Sequence, residues 1–151
     1  CDFAVVLSRG LNGSVIPSER PGHVIFERYN PLKGHLGLVT AFNFPVAPCM
    51  WNTALSLVCG NTQCWKPAET GTLSAVALNG IIRRGLEAAG HSPEVAALLC
   101  GRGTVLGEAL VNDPRVELLS FTGSCERGRA VAEAVARRFG RTILELGGNN
   151  A

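Results

Sequence analysis

Val116-Glu117-Leu118-Leu119-Ser120-Phe121-Thr122-Gly123-Ser124-Cys125-Glu126-Arg127-Gly128 reads as a buried strand, a glycine-containing turn and the first turn of a helix. A helix start exposes unpaired backbone N–H groups and the positive end of the macrodipole, so Gly123, Ser124 and the amides after them can hold an anion, most simply a phosphate. The other residues of chemical interest also stand where an apolar run ends: Asn43 after 36–42, Lys66 after 63–65 and Glu145 after 142–144. In an open parallel sheet such carboxyl ends line one edge, where ligands bind.

Working outward, the 151 residues are 46% hydrophobic and 17% charged, enough to bury a core and too apolar for disorder. The net charge is only +2 and the Lys and Arg residues are scattered, with no basic stripe interleaved with aromatics, so no nucleic-acid partner is expected. The most apolar helix-like run, 46–59, is interrupted by Pro48 and Asn52 and is shorter than the roughly 20 residues of a membrane span. It reads as a core helix. The start at Cys1-Asp2 and the stop at Asn149-Asn150-Ala151 just after a strand suggest that both ends are cut.

Six cysteines and three histidines carry no C-x-x-C pair and no zinc-type spacing, so no metal site is expected. Most of the thiols fall inside apolar runs, where Cys behaves as a small hydrophobe, which favours a reducing, intracellular compartment over a disulfide framework.

Residues 1–9 resemble the tail of a helix and 10–21 a loop rich in Gly, Ser, Asn and Pro. The run 23–29, closed by Asn30-Pro31, reads as an edge or projecting strand. Residues 1–35 thus form an N-terminal helix tail, loop and projecting strand, and 36–151 a regular α/β unit. There the spacing predicts strands at 36–42, 63–66, 95–100, 116–121 and 142–146. Between them it predicts a helix from Pro45 to about Val58, one capped by Thr70 or Thr72, one at 104–111 and one at 124–139. In the second of these, Leu73, Val76, Ala77, Gly80 and Ile81 form one apolar face. Strands alternating with helices call for a Rossmann-like parallel sheet with right-handed crossovers.

Single motifs are open to two readings. Gly101-Arg102-Gly103-Thr104-Val105-Leu106-Gly107 is nearly a dinucleotide fingerprint but one residue too long, on the third strand, and without an acidic residue ending the next strand; it is either a pyrophosphate grip or a tight turn that approaches a cofactor. Cys125 at a helix start is either a nucleophile or a bystander thiol beside an anion that opposes thiolate formation. Glu145 is either a general base, its pKa raised by partial burial, or a capping or salt-bridged carboxylate. Asn43 is an oxyanion donor or a turn residue. Lys66 and Glu69 are a ribose clamp or a surface ion pair.

Four segments together settle on more. Ala41-Phe42-Asn43-Phe44-Pro45-Val46-Ala47, Gly60-Asn61-Thr62 with Trp65-Lys66-Pro67 and Glu69, Ser120-Phe121-Thr122-Gly123-Ser124 with Gly128, and Leu144-Glu145-Leu146-Gly147-Gly148-Asn149 stand in the order and spacing of the aldehyde dehydrogenase superfamily. The Ala-Phe-Asn-Phe-Pro-Val form, and Phe139-Gly140-Arg141 ahead of the last motif, resemble the antiquitin-like (family 7) branch. The resemblance covers nearly all of this chain but a minority of a full subunit.

It implies a cofactor domain with pyrophosphate at Gly123 and Ser124, adenosine ribose near Lys66 and Glu69, and Thr40, Ala41 and Phe42 passing the nicotinamide side. Gly103, Phe121, Gly128 and Leu146 complete the cofactor set, and Glu145 belongs to it too. It further implies NAD in preference to NADP, an aldehyde (possibly semialdehyde) substrate, catalytic roles for Asn43 and Glu145, and a homodimer or homotetramer in the cytoplasm or mitochondria. The family's nucleophilic cysteine lies downstream of Glu-Leu-Gly-Gly, so none of the six cysteines here takes its place. Loop 30–37 is about a residue longer than the family's. The rival readings are a non-catalytic nucleotide-binding or interaction fragment of the same fold and an unrelated dehydrogenase built on the 101–107 loop.

Overall fold

The computed structural model describes residues 1–148; Asn149, the last residue of the fourth motif, lies outside them with Asn150 and Ala151. The chain enters through helix α1 (Asp2–Ser8) and a hairpin of β1 (Val15–Pro17) and β2 (Val24–Phe26). It continues as β3 (His35–Val39), α2 (Ala47–Val58), β4 (Gln63–Lys66), α3 (Thr72–Ala88), β5 (Ala96–Leu98), a π-turn (Gly103–Gly107) opening into α4 (Glu108–Asn112), β6 (Val116–Gly123), α5 (Cys125–Arg137) and β7 (Arg141–Leu146). The last five strands form one parallel sheet in the order β5-β4-β3-β6-β7, as the alternation of strands and helices predicts.

Because side chains alternate along a strand, the central strand β3 feeds two half-cores. Leu36 and Leu38, with Trp65 of β4, pack against Cys49 of α2 and Ala75 and Leu78 of α3. On the other face Leu119 and Val116 of β6 pack against Leu110 and Val111 of α4 and Val135 of α5, joined by Val39 and Cys64. Helices therefore cover both faces of the central strands, which is why those strands read as continuous apolar runs. β6 carries an irregularity opposite His35 and Leu36 that skips Glu117 in the register. The freed carboxylate accepts the N–H groups of Lys33 (2.8 Å) and Gly34 (3.1 Å) and pairs with Arg141. Entry to the sheet is thus fixed at its amino edge.

Several local expectations are corrected. Segment 10–21 is not wholly loop: Val15–Pro17 pairs antiparallel with Val24–Phe26, a non-local match that a three-residue strand does not announce. In α2, Val46 is the N-cap and Pro48 rather than Pro45 occupies the first turn, where its missing N–H costs nothing. Neither Thr70 nor Thr72 caps α3: Gly71 holds that position after a 3₁₀ turn at Glu69–Gly71, and the Thr72 hydroxyl donates to the Glu69 carbonyl at 2.7 Å. The apolar face expected of α3 is the wrong one. Leu73, Val76 and Ile81 are exposed, while Ala75 and Leu78 are buried and Ile82 packs with them. Small Ala75 lets the helix approach the sheet closely, and the helix rotates to present it.

Candidate functional site

The register assembles the site. Val39 pairs with both Lys66 and Phe121, and Phe121 with Leu144, so these four residues form one row across the sheet at its carboxyl edge. One step further, Thr122 pairs with Glu145 and Gly123 with Leu146. β6 runs through Gly123, which is therefore the last strand residue rather than a turn residue. A Cβ at Gly123 would come within 2.7 Å of the Phe121 ring, so the glycine makes room for that ring. Ser124 caps α5, its hydroxyl accepting the Arg127 N–H at 3.3 Å, and the first amides of the helix keep no intrahelical partner. Gly128 sits where any side chain would collide with Leu146, which ties α5 to the end of β7.

On the α4–α5 face of this edge lies a cavity of about 320 Å³, at the small end of ligand pockets. Four of the residues expected from sequence line it: Lys66, Glu69, Gly103 and Phe121. Lys66 is 4% exposed, its stem packed beside Gly107, and its ammonium makes one hydrogen bond, to the Pro67 carbonyl at 2.8 Å. Among the described residues no carboxylate lies within ion-pair distance of it. The surface ion pair with Glu69 is thus ruled out; Glu69 instead accepts the Gly103 N–H at 3.1 Å. The 101–107 loop runs into the π-turn Gly103–Gly107, and Gly103, Thr104 and Gly107 line the cavity.

The rest of the expected set lies around that cavity rather than in it. Thr40 is buried and accepts the Trp65 indole N–H at 2.9 Å, so its hydroxyl faces inward. Ala41 is half-buried, and Phe42, Asn43 and Phe44 are exposed on the loop between β3 and α2. Glu145 is exposed, which corrects the expected partial burial: it alternates with Leu144 and, like Ile143, points to the sheet face on the α2 side, where no helix of the described residues covers β7. Cys125 is exposed and its thiol donates to the Gly147 carbonyl at 3.0 Å. Among the described residues no cluster of His, Cys, Asp or Glu could hold a metal ion.

The family model for the aldehyde dehydrogenase family matches residues 1–151, the whole chain. The chain belongs to the aldehyde dehydrogenase family. Within that family, the alpha-aminoadipic semialdehyde dehydrogenase of Bos taurus is 51% identical over 151 residues, covering 100% of this chain and 28% of that protein. Family 7 member B4 of Arabidopsis thaliana is 50% identical over 151 residues, covering 100% of this chain and 29% of that protein. These are antiquitin-type relatives, the branch to which the motif at 41–47 points. The solved structure of Staphylococcus aureus betaine aldehyde dehydrogenase in complex with NAD+ matches with a TM-score of 0.88 at 26% identity, over 98% of this chain and 28% of that one. The chain thus spans less than a third of these relatives.

Nine of the thirteen cavity residues lie outside the expected set, Thr104, Glu108 and Arg127 being the polar ones. Their signal was in the helical spacing. Residues 104, 107, 108 and 111 form one wall and residues 127, 130, 131 and 134 the other, each an i, i+3, i+4, i+7 face. No helix of the described residues is long and apolar enough to cross a membrane.

Proposed function

We propose that this chain is the dinucleotide-holding part of an NAD-dependent aldehyde dehydrogenase subunit that oxidises an aldehyde, of the semialdehyde class, to a carboxylate. The observation that carries the reading is Lys66: a buried ammonium facing a cavity, with one carbonyl partner and two N–H donors left over. Such a group is stable when a hydroxyl or phosphate completes its shell. With Glu69 beside it as acceptor, and the unpaired amides of α5 nearby, the residues present fit an adenosine ribose followed by pyrophosphate. Lys66, Glu69, Gly103 and Phe121 would hold the adenosine end, Gly123 and Ser124 the phosphates, and Thr40 to Phe42 the nicotinamide side. When bound, NAD supplies the hydride acceptor for the oxidation.

The chain's own chemistry would come from Asn43 and Glu145. Asn43, exposed ahead of α2, presents an amide N–H to the oxygen that gains charge when a thiolate from elsewhere in the subunit adds to the aldehyde carbon. Glu145, also exposed, takes a proton from the water that hydrolyses the resulting thioester. The ribbon of β1 and β2, apolar on both sides and standing outside the parallel sheet, would carry the contacts of a homodimer or homotetramer.

The test is Lys66→Met in the natural gene product carrying this chain. NAD affinity by calorimetry is expected to fall at least about tenfold while Tm holds or rises, since a buried charge is removed. Unchanged NAD affinity would overturn the assignment of the cavity. Aldehyde-dependent NAD reduction is expected to survive Cys125→Ser, and its loss would move the nucleophile to Cys125.

A further inference from the structure

Asn43 sits in the middle of a segment that nothing holds locally: among the described residues no hydrogen bond reaches the backbone or side chains of 41–45. The position of the segment is therefore set at its two ends. At the β3 end Leu38 pairs with Trp65, and Thr40, two residues on, returns to the same face of the sheet. There the Trp65 indole N–H donates to Thr40 Oγ1 at 2.9 Å, both residues being buried, and the Thr40 N–H donates to the Lys66 carbonyl at 3.2 Å. At the α2 end Pro45, whose ring fixes its own φ, lies half-buried against Gly71, where an added Cβ would come 3.3 Å from Pro45 Cβ.

We propose that, resting on the reading of Asn43 as the oxyanion donor, Trp65 is a positioning residue for the reaction: through Thr40 it fixes where the chain leaves β3 and so aims the Asn43 amide. A buried indole N–H requires an acceptor, and a β-branched Thr side chain, stiff at χ1, offers one in a single direction. The apolar contacts of Leu38 and Trp65 with α2 and α3 are non-directional and would tolerate a shift of the strand end. An oxyanion donor works only where charge develops, so a small displacement at Thr40, three residues before Asn43, is felt in the chemical step more than in binding.

The experiment measures kcat and KM for NAD reduction with a panel of aldehydes and semialdehydes, and NAD affinity, in the natural gene product. Trp65→Phe and Thr40→Val each remove one end of the bond, and Asn43→Ala supplies the second background. Each of the first two is expected to lower kcat roughly three- to tenfold with a smaller change in KM, and the pair together to cost little more than either alone. In the Asn43→Ala background the same changes are expected to matter by no more than about twofold, because their effect passes through the missing amide. Should Trp65→Phe fail to fold, Thr40→Val carries the test, and Gly71→Ala, pressing on Pro45 from the far end, is expected to show the same dependence on Asn43. Losses of equal size with and without Asn43, or an unchanged kcat, would overturn the aiming role. A fall in NAD affinity that matches the fall in kcat would overturn it in favour of an effect on the cofactor. Wild-type protein that oxidises none of the panel would instead remove the proposed function, and this inference with it.

Discussion

Glu69 and Gly103 hold each other across the mouth of the cavity: the Gly103 N–H donates to Glu69 Oε1 at 3.1 Å, tying the exit of β4 to the π-turn ahead of α4. The carboxylate is thereby kept at the cavity wall, and among the described residues its second oxygen makes no hydrogen bond. Its charge becomes a fixed property of the site rather than of a mobile surface side chain.

Replacing Glu69 with Gln keeps an acceptor for Gly103 and removes only the charge. With the ribose at Lys66 and Glu69, the carboxylate accepts from a 2′-hydroxyl and repels a 2′-phosphate. Glu69→Gln is expected to shift preference toward NADP by roughly tenfold, read as the ratio of kcat/KM for the two cofactors. An unchanged ratio would place Glu69 away from the ribose.

Gly37 lies in the middle of β3, where a Cβ would come 2.6 Å from Leu119 Cδ1 and 2.8 Å from Val116 Cγ1, both side chains buried. Gly37→Ala is expected to cost about 1–3 kcal/mol in denaturant unfolding through overpacking. Gly85, inside α3 with nothing within 4 Å of an added Cβ, is the contrasting case: Gly85→Ala is expected to add about 0.5–1 kcal/mol. Equal effects would show that the β3–β6 contact is looser than this packing.

Asp113 accepts from the Arg115 side chain and its N–H, and those bonds hold its carboxyl down at about 2. A folded value below the unfolded one stabilises the fold above pH of about 4 and loses that contribution as pH falls toward about 2. The pair is open to solvent, so the effect is small. Asp113→Asn is expected to melt slightly lower than wild type at neutral pH, with the gap closing between about pH 4 and about pH 2. A gap that persists below that range would mean that packing, not charge, is lost.

The sheet and its ligand edge were legible because β4 and β6 announce themselves: 63–66 is recovered residue for residue, and Ser124 was recognisable as a helix start. What escaped was decided by neighbours. Periodicity shows α3 to be apolar on more than one side, and only the close approach of the sheet selects Ala75 and Leu78 over Leu73 and Val76. The β1–β2 ribbon depends on pairing across a loop, and the exposure of Glu145 depends on α2 and α3 stopping short of β7. Arg127 stands at helical spacing from Val131 and Ala134, yet its place in a cavity wall appears only when α4 supplies the facing wall.

The two faces of the carboxyl edge have a consequence for how the molecule can change. The cavity opens on the α4–α5 side, whereas Glu145 points to the α2 side, with the backbone of the sheet between them. Substitutions at cavity residues and at Glu145, on opposite faces of the sheet, are expected to have free-energy effects that add. On the proposed function, a lineage carrying this architecture can therefore alter the cavity that would hold the adenosine end while leaving Glu145 undisturbed, and the reverse.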